Sequence, residues 1–272
     1  MSLPNVPINP NWHPIFNLSI ERLHGFFQHC LNLLFPPICV GCQRMGEIFC
    51  STCSQVVKPI PATICSRCGK IQTHVIGTHA GPNARICSPC QTLIVNQASN
   101  TILITQSRAA AIYNHPLRDA IHALKYENCR EIAPLLARYL IAAFAKPCWQ
   151  SIPQPIDAVI PIPAHIQRKT ERGYNQAELL ATEFCQHIQL DFRPTWVERV
   201  HYTQSQVGLN QEERWINVQH AFRAMPEVQG RTILLIDDLY TSGATFNACA
   251  SAIIEAGGRT VYALALATPN IT

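Results

Sequence analysis

A chain of 272 residues, 47% hydrophobic and 14% charged, can bury a sizeable core and is not a disordered segment. Its formal charge of +4 tolerates anionic partners without requiring nucleic acid. An odd total of 13 cysteines, eight of them between Cys39 and Cys90, excludes the usual secreted disulfide framework and favours thiolate ligands in a reducing compartment.

The first residues, MSLPNVPINPNWHPIF, are rich in Pro and Asn and lack the basic start and apolar run of a secretory signal. Ile20, Leu23, Phe27, Cys30, Leu31 and Leu34 then recur at helical spacing, which predicts an amphipathic helix over 18–35 stopped by Pro36 and Pro37. The richest apolar segment, 135–145, is too short to cross a bilayer and contains Arg138, so the chain reads as soluble, cytoplasmic and without a membrane span.

Four Cys-x-x-Cys pairs follow: Cys39 with Cys42, Cys50 with Cys53, Cys65 with Cys68, and Cys87 with Cys90. Two intervening residues let both sulfurs of a pair face one point on a tight turn. Two such turns complete a tetrahedral S₄ site, and soft thiolates select zinc. Eight ligands make two closed, structural zinc sites, by sequential or by interleaved pairing. A redox dithiol would occur once, on a βαβ pattern. His74 and His79, inside the second loop, are expected to face solvent.

Beyond residue 95 the texture changes. A strand near 109–113 leads to Asn114, a candidate helix cap, and to Leu117, Ile121 and Leu124 on one helical face. Helices are expected over 131–145 and 174–189, and strands over 157–162, 232–236 and 261–267. Strands alternating with helices predict an α/β fold with a parallel sheet. The organisation read from the sequence is an irregular segment and helix over 1–36, a zinc-ribbon module over 37–95 and an α/β domain over 100–272.

The stretch ILLIDDLYTSGAT, 233–245, carries the chemistry. A buried parallel strand reads as a continuous apolar run, and ligands of open α/β sheets bind at the strands' carboxyl ends. Asp237 and Asp238 are therefore expected where the strand gives out. Ala244, Ala248, Ala252 and Ala256 share a face of the next helix, which Gly257 and Gly258 end. Backbone N–H groups of Thr241, Ser242, Gly243, Ala244 and Thr245 then form an anion site at the helix N-terminus. Two carboxylates beside it suit a ligand with hydroxyls next to its phosphate, such as a ribose 5-phosphate. A Walker loop would need Gly-Lys-Ser/Thr, and only 34 residues follow Asp238, too few to complete a receiver domain.

This stretch resembles the phosphoribosyl pyrophosphate (PRPP) motif of type I phosphoribosyltransferases. The resemblance implies that Asp237 and Asp238 hold the ribose hydroxyls as the catalytic acids, that 241–245 hold the 5-phosphate, and that Mg²⁺ accompanies the pyrophosphate. A second anion site is then required. Arg168, Lys169 and Arg172, in the basic loop of VIPIPAHIQRKTERGYNQAELLA (159–181), are its candidates.

The segments YNHPLRDAIHALKY, RGYNQAELLA, TQSQVGLNQEERWINVQHAF (203–222) and LLIDDLYTSGAT, in that order after the cysteine pairs, resemble the ComF/ComFC (GntX-like) family. The resemblance runs from about residue 33 to 267. It implies a double zinc ribbon fused to a type I phosphoribosyltransferase-like domain, acting in DNA uptake. It adds Gln206, Arg214 and Asn217 as motif positions on a loop over the site, with Arg214 reaching a phosphate, and Lys125 with Tyr126 as a pair near the ligand. The His- and Gly-containing insertion between Cys68 and Cys87 departs from the family pattern. Two functions fit: a phosphoribosyltransferase whose acceptor the sequence does not name, including one of nucleotide salvage, and a non-catalytic PRPP- or nucleotide-sensing module that grips single-stranded DNA among competence proteins.

Overall fold

The computed structural model describes residues 35–72, 86–95, 103–200 and 221–269. The helix expected over 18–35, apart from its last residue, His74, His79 and the positions Gln206, Arg214 and Asn217 lie outside these residues. The cysteine-rich part carries two short helices, α1 (Ser51–Gln55) and α2 (Ser88–Val95). Then come β1 (Ile104–Ile112), α3 (Leu117–Tyr126), α4 (Ala133–Phe144), α5 (Pro147–Gln150), β2 (Ala158–Pro161), α6 (Ile166–Arg172) and α7 (Gln176–Ile188). A hairpin of β3 (Val197–Arg199) and β4 (Phe222–Ala224) precedes β5 (Thr232–Leu239), α8 (Ala244–Glu255) and β6 (Thr260–Thr268).

The main sheet has the order β1-β6-β5-β2, all parallel, so every carboxyl end lies along one edge. Alternation sorts the side chains of the central strands. Leu234 and Ile236 of β5, with Tyr262, Leu264 and Leu266 of β6, pack under α3, α4 and α7 through Ile121, Leu124, Leu140, Leu180 and Phe184. Ile233 and Leu235, with Val261 and Ala263, face α8 and the hairpin through Phe246, Cys249, Ile253, Val197 and Phe222. Both faces are covered, which is why β5 and β6 read as unbroken apolar runs.

The edge strand β1 is covered by the cysteine-rich part. Pro59 bridges Ala111, the Ile112 N–H donates to the Lys58 carbonyl at 2.9 Å, and the Ser107 N–H donates to the Arg67 carbonyl at 2.7 Å. Backbone groups that would otherwise form an open edge are thereby paired. The Ser54 hydroxyl and the Tyr139 hydroxyl, 2.8 Å apart, tie α1 to α4.

Several sequence expectations shift. Asn114 does not cap α3: the cis peptide between His115 and Pro116 intervenes, and Pro116 occupies the cap position. The expected basic loop is a short helix, α6, because the His165 ring nitrogen accepts the Gln167 N–H at 3.2 Å and Gly173, with φ 76°, closes the other end. The strand β5 runs through both aspartates and does not stop before them. Helix α8 seats Phe246, Cys249, Ala250 and Ile253 on the sheet; of its alanine face only Ala244 is buried, since larger side chains fill that layer. The β3–β4 hairpin was not anticipated. Phe184, fully buried and edge-on to Phe144 at 5.3 Å, is a keystone of the first layer. Phe184→Ala is expected to cost about 3–5 kcal/mol in urea unfolding, with an unchanged transition slope.

Candidate functional site

The site begins with the parity of β5. Asp237 follows Leu235 towards α8 and the hairpin; Asp238 follows Ile236 towards α3 and α7. Asp238 is 2% exposed, and its carboxylate lies 2.5 Å from the Lys125 ammonium, which α3 presents from its last turn. Its other oxygen accepts from the Gln176 amide at 3.2 Å, at the start of α7. Burial alone would raise the Asp238 pKa, but Lys125 outweighs it and holds the group below the ordinary carboxylate range. Burial likewise opposes the Lys125 charge, and Asp238 lifts its pKa.

Among the described residues no ion pair joins Asp237 to a cation. Its carboxylate accepts the Asp238 N–H at 2.8 Å. Burial, then the Asp238 charge, push its pKa well above the ordinary value. The Lys125 charge acts on both acids, and Asp237 is the one that holds a proton more tightly.

Gln176 is placed by Asn175. The Asn175 carbonyl oxygen caps α7 by accepting the Ala177 N–H at 3.2 Å, and its amide donates to the Ile162 carbonyl at 3.0 Å. The Ile162 N–H in turn donates to the Ile236 carbonyl at 2.8 Å, just before the acids. Tyr174 donates its hydroxyl to the Leu124 carbonyl, next to Lys125. The start of α7, the end of α3 and the end of β5 are therefore clasped together.

Beyond Asp238 the chain turns through 239–243 into α8. Thr241, Ser242 and Thr245 are half-buried, and Gly243 and Ala244 are buried. Gly243 sits at the helix N-cap with φ 78°, and a Cβ there would come within 2.5 Å of the Tyr240 hydroxyl, so glycine is required twice over. The Ser242 hydroxyl accepts the Ala244 N–H at 3.3 Å. The loop expected over 241–245 is assembled as a glycine-led turn at the head of a twelve-residue helix.

The expected cations disperse. Lys125 is committed to Asp238. Lys169 pairs with Glu178 at 3.3 Å. Arg172 lies 4.9 Å over the Tyr126 ring and donates to the Gln176 side chain at 3.0 Å. Arg168 instead acts electrostatically on Arg199 of the hairpin. Burial, then the Arg168 charge, lower the Arg199 pKa, while Asp237 acts to raise it. Arg199 is a charged residue that sequence reasoning missed; it pairs with Phe222 in the hairpin and lies within electrostatic reach of Asp237. Arg214 lies outside the described residues.

The eight cysteines form two clusters by sequential pairing, Cys39-Cys42-Cys50-Cys53 and Cys65-Cys68-Cys87-Cys90, with the sulfurs of each within 4.8 Å of one another. Tetrahedral zinc with bonds of about 2.3 Å sets sulfurs about 3.8 Å apart. Cys42 and Cys50, and likewise Cys68 and Cys87, stand at 3.6 Å. Backbone N–H groups of Cys50 and Cys87 donate to the Cys39 and Cys65 sulfurs at 3.3 and 3.4 Å. The Cys68 thiol, first of several donors, lowers the Cys65 pKa to about 4. Both clusters fit zinc.

A family model described as a double zinc ribbon domain matches residues 30–91. The DNA utilization protein YhgH of Shigella flexneri is 30% identical over 233 residues, covering 84% of this chain and 96% of that protein. The chain belongs to the YhgH/ComF family. Competence protein ComFC of Bacillus subtilis is a relative of 29% identity, covering 79% of this chain and 81% of that protein. Competence protein F of Haemophilus influenzae stands at 28%, covering 84% and 96%. Among solved structures, glutamine PRPP amidotransferase from B. subtilis matches at 16% identity over 50% of this YhgH/ComF chain and 26% of its own, with a TM-score of 0.33. A likeness that loose adds no weight. Among the described residues, no helix is long and apolar enough to cross a membrane.

Two measurements check the site. Elemental analysis is expected to give two zinc ions per chain, with one remaining after Cys68→Ser. The aspartates are expected to differ in sign. Asp238, whose pKa is depressed, contributes stability that is present above the ordinary carboxylate range and lost as pH falls through its folded value. Asp237, whose pKa is raised, binds a proton that the unfolded chain releases, so its ionisation costs stability as pH rises through that folded value. Asp238→Asn should therefore destabilise the neutral-pH fold by about 3 kcal/mol, leaving a largely buried Lys125 uncompensated. Asp237→Asn should leave the melting temperature equal or raise it.

Proposed function

We propose that the chain binds PRPP at the carboxyl end of β5 and acts in the handling of incoming DNA. One observation carries the ligand reading: a glycine-led helix N-terminus directly follows two aspartates on one strand, the second of them paired with Lys125. In this reading the 241–245 loop takes the 5-phosphate, and Asp237 and Asp238 accept from the ribose hydroxyls. Arg168 and Arg199, two guanidinium groups close enough to repel, take the pyrophosphate between them. The acids are already committed, Asp238 to Lys125 and Asp237 to a backbone N–H, so Mg²⁺ is expected to arrive with the pyrophosphate. Its part is to neutralise the diphosphate charge.

The role in DNA handling is supported by the relatives, named for DNA utilization and for competence. Displacement of pyrophosphate by a nitrogen nucleophile is the reaction such a site could perform, and Asp237 and Asp238 would then fix the sugar while its anomeric carbon reacts. Calorimetry with PRPP and Mg²⁺ tests the reading. The double variant Asp237→Asn/Asp238→Asn should weaken binding at least about tenfold in folded protein; undiminished affinity removes the assignment. Pyrophosphate release across a panel of bases and amines separates transferase from sensor. Arg168→Ala with Arg172→Ala should flatten the salt dependence of any single-stranded DNA binding, by about 0.7 in logarithmic slope per lost phosphate contact.

A further inference from the structure

The second cysteine cluster and the anion loop meet through one strand. The turn at 65–69 is closed by the Gly69 N–H on the Cys65 carbonyl at 3.0 Å and the Cys65 N–H on the Lys70 carbonyl at 2.8 Å. That turn lies on β1. The Arg67 carbonyl accepts the Ser107 N–H at 2.7 Å, and the Arg108 guanidinium, in a side chain almost fully buried, donates to the Ser66 carbonyl at 2.8 Å. The approach is close enough that a Cβ on Gly69 would stand 2.6 Å from the Ser107 carbonyl oxygen.

From Ser107 the path continues to Tyr240. The buried Ser107 side chain interacts with the Tyr240 hydroxyl, and the same phenol lies within the electrostatic reach of Cys68, Cys90 and Cys65. Tyr240 is fixed at its other end as well. Its N–H donates to the Ala267 carbonyl at 2.9 Å, its carbonyl accepts the Thr268 hydroxyl at 2.7 Å, and its ring packs on Phe246 at 5.4 Å. Its hydroxyl occupies the space where any side chain at position 243 would have to go. The phenol is therefore a strut with the cysteine turn at one end and the loop's left-handed glycine at the other.

Among the described residues, the first cluster packs elsewhere. Cys39 and Cys53 are buried in the core layer under α3 and α4, and a Cβ on Gly41 would meet Pro116 at 2.7 Å. Its neighbours belong to the layer that holds the fold together.

We infer that Tyr240 is a positioning residue through which zinc at Cys65-Cys68-Cys87-Cys90 sets the shape of the 240–245 loop, so that the loop's affinity for a phosphate ester depends on the second metal site and not on the first. Zinc cross-links the 65–69 turn to the second pair. Without it the turn is free to leave β1, Ser107 loses the partner of its buried N–H, and Tyr240 loses the neighbour that holds its hydroxyl over Gly243. A loop shaped in advance of the ligand binds more tightly than one the ligand must order.

The inference rests on the loop being a phosphate site, and the test keeps the two apart. PRPP with Mg²⁺ is titrated calorimetrically into wild-type protein, Tyr240→Phe, Ser107→Ala, Cys68→Ser and Cys42→Ser, each after measurement of zinc content and below its melting temperature. If wild-type protein does not bind, the ligand reading falls. Given wild-type binding, Tyr240→Phe should retain two zinc ions yet bind about five- to tenfold more weakly, the loss of one hydroxyl contact. Amide hydrogen exchange over 241–245 should speed up in the same variant. Cys68→Ser should lose one zinc ion and weaken binding at least as much; Cys42→Ser should lose one zinc ion and melt earlier, with the affinity unchanged. Should Cys68→Ser fail to fold, Tyr240→Phe and Ser107→Ala carry the test alone. Unchanged affinity and exchange in Tyr240→Phe, or an equal loss of affinity in Cys42→Ser, overturns the inference.

Discussion

Two adjacent carboxylates at the end of a strand covered on both faces are the constraint around which the α/β part is arranged. A strand covered on both faces has no solvent to stabilise a charge, so each acid needs its own solution, and alternation sends the two to opposite sides. On the α3 and α7 side, one ammonium and one amide are brought in and the carboxylate stays charged. On the α8 side, burial and the neighbouring Asp238 charge outweigh one backbone N–H and the pull of Lys125, and the acid keeps a raised pKa. The clasp of Asn175, Ile162, Tyr174 and Leu124 follows from the first solution, because Lys125 and Gln176 reach Asp238 only if the ends of α3 and α7 are held to the end of β5.

The cysteine-rich part answers a different problem at the far side of the sheet. In the order β1-β6-β5-β2, β1 has a bare edge, and a bare parallel edge invites association with other chains. Backbone contacts at Pro59, Lys58 and Arg67 cover it along its length. These segments are too short to hold an extended conformation by themselves, and the Cys₄ clusters brace them from behind. The segments next to the cysteine clusters therefore complete the edge of the sheet.

Much of this was legible in the sequence, for reasons that differ by element. Apolar continuity gave β5 and β6 because full burial leaves no polar alternation to misread, and Cys-x-x-Cys spacing gave the clusters because sulfur geometry is local. The sequential pairing was not legible, because Cys-x-x-Cys spacing serves a sequential or an interleaved arrangement equally well. The acids were read as a pair at a strand's end. Their assignment to opposite faces was open to inference from the two-residue period, had the strand been carried through Leu239. Asn114 misled because capping propensity is local, whereas Pro116 fixed the start of α3. Arg199 could not have been found: Val197-Glu198-Arg199 carries no motif of its own, and its meaning comes from a partner strand that begins at Phe222.

The redistribution of cations says what the site can grip. Five basic residues near an anion site look interchangeable in a sequence, yet charge held by a neighbour is not available to a ligand at equal cost. Lys125 and Lys169 already face carboxylates, and Arg172 rests on an aromatic ring and an amide. Arg168 and Arg199 repel each other electrostatically, and like charges held near one another cost free energy that an anion near both would offset. Such a pair suits a diphosphate better than a single phosphate, since two anionic centres can each meet a planar guanidinium. The helix N-terminus at Gly243 offers only partial charge and backbone donors, which suits the lesser demand of a monoester. In the proposed reading the two anion subsites would therefore differ in strength, the stronger one falling to the leaving group.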